Sequence, residues 1–404
     1  MLQTAVQSVY TLPPDKLAEA VALAHASIAD YFGDTAWTIF ALWVLVRLRV
    51  GAAIRNLAAR LSRRAWQQGL IASPLWLIIL ILIGIPAALL MHRVNLRYGL
   101  SVEPWAMWWA DFGKSAALTV VFGTITLSVL YALIRHSPRR WWLWFWVIAL
   151  PVEVAAVFVV PIVIDPMFDH FSPLAKSDPA LVQKLEEVAA RGHLQIPPSR
   201  MYVMDASAKV TGPNAYVTGF GASKRIVVWD TTLHEMPMND ILAIYGHEQG
   251  HYVLHHIQKG MLYSAAVMLF FFWIAAHLLR WLVGRFGERW HIPSLADWSS
   301  LGVVLLLITV LGFLADPVGN AFSRHIEHQA DVYGEEVIQG LVPSPQATMA
   351  DSFERLGELW LEIPQPDGFV VFWTYSHPPT SDRMRFAAHY DPWSAGHHPR
   401  FIGS

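Results

Sequence analysis

Long apolar runs, each near the length of a bilayer crossing, alternate along this chain with two polar blocks. Residues 70–91 (LIASPLWLIILILIGIPAALLM) and 115–134 carry no charge. Residues 141–164 hold one ionisable group, Glu153; residues 260–283 hold only His277 and Arg280; residues 299–315 are shorter and charge-free. A helix needs about 20 apolar residues to cross the hydrocarbon, so each run predicts a span. A sixth comes from 35–46, extended backwards by the amphipathic stretch 21–34. Buried helices of a large soluble protein would account for one such run, hardly for five. Glu153 within a span is read either as lining an aqueous cavity or as a protonated or hydrogen-bonded structural group. The cluster WWLWFW at 141–146 predicts an interfacial anchor.

The polar blocks cover 165–259 and 316–404, which divides the chain into N-terminal membrane helices (1–164), a first soluble part (165–259), a membrane hairpin (260–315) and a second soluble part (316–404). Asp178 as N-cap, Pro179 in the first turn and Gly192 as stop predict a helix. RMYVMDA (200–206), NAYVTGF (214–220) and RIVVWDT (225–231) read as short strands, the last two as a hairpin. From Asn239, a plausible N-cap, to about Gln258 the apolar positions Ile241, Leu242, Ile244, Tyr245, Val253 and Leu254 repeat with helical spacing.

Composition agrees with a membrane protein. Of 404 residues 54% are hydrophobic and 15% charged, against about 25% charged in soluble domains. A net charge of −2 gives no sign of a nucleic-acid partner. The chain has no cysteine, which excludes disulfides and thiolate-bound zinc. The N-terminus lacks a basic segment followed by an apolar core, so no cleaved secretory signal is expected.

The second helix of the first block contains HEQGH, residues 247–251. Positions four apart share a helix face, so His247 and His251 can present imidazoles to one ion. Glu248 then points beside that ion, where a base must stand to take a proton from water. Zinc lowers the pKa of bound water to about 7, and HExxH is the metalloprotease form of this arrangement. With 18 His in the chain, roughly 0.03 chance matches are expected; otherwise the pair is two surface histidines. Gly246 and Gly250 would let another element approach the metal closely.

A catalytic zinc needs a third protein ligand and an open fourth position. SRHIEHQAD (323–331) offers Glu327, with Asp331 one turn on to orient a ligand histidine. His328 competes for the ligand role, and a solvated charged face is the bland reading; spacing does not choose among them. Two spans separate His251 from Glu327, so both halves face the same side of the membrane.

Five blocks in order carry a family resemblance: DPMFDHFSPL (165–174), NAYVTGFGASKRIVVWDT (214–231), HEQGH (247–251), SRHIEHQAD (323–331) and YSHPPTSDRM (375–384). Over about residues 75–390 the chain resembles the membrane-embedded CAAX prenyl protease type 1 family of zinc metallopeptidases, bacterial members included. The resemblance implies a mainly α, polytopic helical membrane protein of six or seven spans, with a gluzincin-type α+β metallopeptidase domain split by a membrane hairpin. It implies one Zn2+ held by His247, His251 and Glu327, with Glu248 as base. It further implies that Asn214, Ala215 and Tyr216 lie on the edge strand that takes an extended peptide. His377 would help stabilise the oxyanion, Arg383 would bind substrate backbone or brace the site, and helices would wall a chamber within the membrane. Eukaryotic members have seven spans where six are counted here, and bacterial relatives need not use a prenylated substrate. A peptide or membrane-protein substrate in a bacterial inner membrane is expected.

Arg47, Arg49, Arg55, Arg60, Arg63 and Arg64, then Arg135, Arg139 and Arg140, then Arg285 and Arg289 occupy alternate loops. The positive-inside rule assigns these loops to the cytoplasm and, with six spans, the polar blocks to the far side. The eukaryotic relatives imply the reverse, as would one further span near the N-terminus. Two rival functions remain. A protease with its motif inside a span is opposed by the polarity of 239–258, and a non-enzymatic scaffold or chaperone with a structural metal has no use for Glu248.

Overall fold

The computed structural model describes residues 10–219 and 224–403. Residues 220–223 of the expected hairpin motif lie outside the described residues. Helix α1 (Pro14–Arg47) runs to a left-handed Arg49 (φ 61°), where the chain bends by 61° into α2 (Val50–Leu61). Then follow α3 (Ala65–Arg97), α4 (Trp105–His136) and α5 (Trp141–Val159), the last continued to Phe168 by tighter and wider turns. Pro74 and Pro86 in α3 and Pro151 in α5 sit inside helices, as neighbouring helices in a membrane permit.

The first polar block opens with β1 (Phe171–Pro173), α6 (Leu174–Ser177) and α7 (Pro179–Arg191). Asp178 caps α7 as expected, accepting from the Leu181 amide at 2.9 Å. Strands β2 (Met201–Met204), β3 (Ala215–Thr218) and β4 (Arg225–Trp229) complete a sheet of order β1-β2-β4-β3. The hairpin expectation holds: β3 and β4 are antiparallel, with Ala215 opposite Val228 and Thr218 opposite Arg225. β2 lies parallel to β4, which leaves β3 at an edge.

After α8 (Asp230–Glu235), α9 (Met238–Val253) begins one residue before Asn239, with Pro237 at the cap. The helix expected to run to Gln258 stops at Val253. His255 is left-handed (φ 59°), and α10 (His256–Trp290) starts immediately and crosses the membrane. α11 (Leu301–Val337) returns, followed by α12 (Pro345–Leu359), α13 (Gly368–Thr374) and α14 (Thr380–His389). The division expected at residue 315 falls inside α11, so the last crossing and Glu327 share one uninterrupted rod.

Among the described residues five helices are long and apolar enough to cross a membrane, and six if the bent pair α1–α2 counts as one span. The chain is a mainly helical, multi-pass membrane protein with one small sheet. It has two main cores. One joins Tyr10 and Leu23 to Val228, Tyr245, Tyr333 and Met384 around the soluble blocks; the other joins Leu42, Trp76, Tyr131, Trp298 and Leu305 among the spans. In the aromatic run at 141–146 Trp144 is exposed, while Trp141 is buried and Trp146 donates to the Ala265 carbonyl.

Candidate metal centre

α9 and α11 cross closely because both lack side chains where they meet. A Cβ on Gly334 would stand 2.8 Å from the His247 nitrogen, and one on Gly250 3.0 Å from the Tyr333 ring. A Cβ on Gly246 would meet Val337 and the Gly334 carbonyl. The glycines singled out in the sequence thus do admit another element, and that element is the helix bearing Glu327.

At the crossing, His247 Nε2 and His251 Nε2 are 3.1 Å apart. Glu327 reaches them from α11, Oε2 at 3.2 Å from His247 Nε2 and Oε1 at 3.4 Å from His251 Nε2. One donor atom from each of the three lies within 4.8 Å of the others. His328, the competitor, turns away and meets the Phe386 ring edge-on at 4.6 Å between centroids.

The donor set fits a divalent cation. His247 Nδ1 bonds Asp331 Oδ1 at 2.8 Å and His251 Nδ1 bonds His256 Nδ1 at 3.1 Å. With the protons on the Nδ1 atoms, both Nε2 lone pairs face one another and a carboxylate, an arrangement that repels itself until a cation sits between. Glu327 Oε2 is buried and makes no hydrogen bond. The surroundings favour positive charge here. Burial works against an imidazolium, yet Asp331 and Glu327 outweigh it and push the His247 pKa up to about 10. A cation held between these donors would supply that charge instead.

Glu248 Oε1 stands 4.0 Å from His247 Nε2, beside the cluster and not in it. Burial pushes its pKa up, against the pull of His247 and His251, which suits a base. Asp331 also takes both prongs of Arg383, Nη2 at 2.6 Å to Oδ1 and Nε at 3.0 Å to Oδ2. The guanidinium lies 4.1 Å over the Phe353 ring. His377 Nε2 comes within 3.2 Å of Glu327 Oε2, and 57% of its side chain is exposed. All of these residues except Asp331, His251 and Glu327 line one cavity of about 460 Å³, together with Asn214. Ala215 and Tyr216 follow on the edge strand, and Ala215 N donates to Asn214 Oδ1 at 2.8 Å.

Sequence reasoning missed two groups. His256 touches His251 and is held at 3.1 Å by Gln329 Oε1, while Gln329 Nε2 meets His325 Nε2 at 2.9 Å. A straight helix would carry position 256 away from His251; the left-handed His255 brings it back. Arg324 bonds the carbonyls of Val371 and Tyr375, and Asn320 that of Trp373. These bonds fasten the segment before His377 to the helix of Glu327. Only the order of the blocks hinted at that pairing.

The profile of peptidase family M48 matches residues 175–391, and one described as the CAAX prenyl protease N-terminal, five membrane helices, matches residues 12–170. An uncharacterized metalloprotease of Bacillus subtilis, YhfN, is 33% identical over 76% of this chain and 70% of its own length. CAAX prenyl protease 1 homologs from rice and human are 26% and 23% identical; in each case the match covers 72% of this chain and 66% of the relative. The crystal structure of S. mikatae Ste24p superposes with a TM-score of 0.78 over 94% of this chain and 92% of that one, at 22% identity. The fold, a metal-ready His-His-Glu cluster with a carboxylate beside it, and these matches together place the chain in peptidase family M48, as a multi-pass membrane metallopeptidase.

Proposed function

We propose that the chain is a zinc-dependent endopeptidase in which His247, His251 and Glu327 hold one zinc ion. Bound there, zinc acts as the Lewis acid that polarises the peptide carbonyl and acidifies the attacking water. Glu248 takes the water's proton and hands it to the leaving amine. Asp331 holds the His247 tautomer and is itself braced by Arg383. His377, at the cavity mouth, donates to the developing oxyanion. Asn214, Ala215 and Tyr216 receive an extended peptide by main-chain hydrogen bonds. The soluble parts 165–259 and 316–404 act as one catalytic unit, carried by the membrane parts 1–164 and 260–315.

The observation that carries this reading is the convergence of two Nε2 atoms and one carboxylate within 4.8 Å, with Glu248 beside them. Oxygen and imidazole donors in this number suit zinc. The substrates are membrane-associated or misfolded polypeptides in a bacterial inner membrane. The names of the relatives point to prenylated peptides, and competition between farnesylated and unmodified peptides tests that. The central test is Glu248→Gln. It keeps stoichiometric zinc by elemental analysis and loses roughly 100- to 10,000-fold in cleavage of an unfolded membrane substrate. Cleavage at the wild-type rate would sink the assignment and favour a structural metal.

A further inference from the structure

The cavity beside the metal centre is lined by apolar side chains and, besides Glu248, by a second acid. Ile244, one turn before His247 on α9, lines it together with Phe353 and Leu356 of α12 and Trp360 just beyond it. At the same cavity stands Glu362. Its carboxylate accepts a hydrogen bond from Thr380 Oγ1 and pairs with no cation among the described residues. The arginine lining the cavity, Arg383, is already committed to Asp331 through both prongs. Trp360 is fixed in place: its Nε1 donates to the Pro213 carbonyl at 3.1 Å, and a Cβ on Gly212 would stand 2.4 Å from its ring. The backbone carbonyl of Glu362 is likewise held, by the buried Tyr10 hydroxyl at 2.9 Å.

Apolar side chains and a tethered carboxylate lining one cavity match one kind of side chain. Lysine and arginine lay a hydrocarbon stem along apolar surface and carry the charge at the tip. A leucine would meet the apolar side chains and leave the acid facing nothing, and an acidic side chain would meet it with like charge. We propose that Glu362 and the Ile244–Phe353–Leu356–Trp360 wall form a specificity subsite for a lysine or arginine side chain flanking the scissile bond. This rests on the peptidase reading above and names the substrate class of that site.

Purified full-length protein loaded with zinc is assayed on internally quenched peptides that differ only in carrying Lys, Leu or Glu at one position, moved stepwise along the peptide, with products mapped by mass spectrometry. At the position that fills the subsite, kcat/KM for the Lys peptide should exceed that for the Glu peptide by roughly 10- to 100-fold, the range of a charge-assisted hydrogen bond. Glu362→Gln should bring that ratio near one. Glu362→Lys should invert it, a gain on the Glu peptide that misfolding cannot mimic. Glu248-dependent cleavage with no preference for Lys at any position, or a preference unchanged in both Glu362 variants, overturns the subsite and leaves the peptidase reading standing. Failure to cut any of the peptides counts against the peptidase reading itself, and the subsite falls with it.

Discussion

At the scale of single residues, Asp331 is the hinge of the site. It is 1% exposed, orients His247 through Nδ1 and receives both prongs of Arg383. Asp331→Asn keeps an acceptor for His247 but removes the charge that Arg383 faces. Carboxylates behind ligand histidines are worth about 10- to 100-fold in metal affinity, so that loss should appear in a competition titration against a chelator. Leaving Arg383 buried without its partner should also cost about 3–5 kcal/mol of stability. Local spacing makes the i, i+4 histidines and the glutamate between them legible in the sequence; it offers Glu327, four before Asp331, beside His328 without choosing, and the family resemblance makes that choice. His377 and Arg383 were accessible only through resemblance, since no local periodicity ties position 377 to position 327. Glu362 and His256 gave no signal at all. One depends on tertiary approach of α12 to α9, the other on a single left-handed residue that interrupts an otherwise helical pattern.

At the scale of elements, the crossing of α9 and α11 sets the distance between the histidines and Glu327. A methyl on Gly334 meets backbone of His247, which cannot yield, whereas one on Gly246 first meets the end of the Val337 side chain, which can. Gly334→Ala should therefore push the helices apart, costing about 1–3 kcal/mol as overpacking does and weakening metal binding by roughly tenfold or more. Gly246→Ala should do less on both counts. Paired melting and chelator titrations give the ranking, and the reverse order would refute this account of the crossing. The sheet has its own fastening. Asp230 accepts from the amides of Ala206, Ser207 and Thr231 and from the Ser207 hydroxyl, tying the end of β4 to the loop after β2. Burial works against its charge, but the hydrogen bonds prevail and hold the pKa below the usual 3.8. A lowered carboxylate pKa contributes stability above the unfolded value, and that contribution is lost as pH falls through the folded one. Asp230→Asn should therefore melt below wild type from pH 7 to pH 5, by about 1 kcal/mol, with the gap closing under pH 3.8. The spans, α7, α9 and strands β2 to β4 are readable from periodicity and turn residues; β1 and the short helices α6, α8 and α12 to α14 give no such signal. Where α9 stops is not readable either, because apolar spacing continues unbroken through Val253 and Leu254 into the membrane helix.

At the scale of the molecule, the spans sort their loops into two ends with different chemistry. At one end the three basic loops are knitted together: Arg49 Nε donates to the Arg289 carbonyl, Arg55 pairs with Asp297 at 3.1 Å, and Arg135 donates to the Ala296 carbonyl and lies over Trp298. At the other end the start of α1 and the link between α3 and α4 dock on the catalytic parts, through Tyr10 to Glu362 and through the Val102 amide to the Lys209 carbonyl. The start of α1 and the metal centre therefore share a face, which requires an even number of crossings before α9. The count of apolar runs alone could not secure this, because the first run is half polar; the packing of Ala20 and Leu23 into the catalytic core does. The chain has no cysteine of its own, so single cysteines report without background. Ser137→Cys, between α4 and α5, and Ala395→Cys, after α14, should react with a membrane-impermeant maleimide from opposite sides of sealed vesicles, and both should react once detergent is added. Labelling of the two from one side would mean an even number of crossings between them, against the three that α5, α10 and α11 supply. With opposite labelling, the excess of arginine assigns the Ser137 end to the cytoplasm, so Ala395 should be the one that reacts in intact spheroplasts, and the hydrolytic site would open on the same side as that residue.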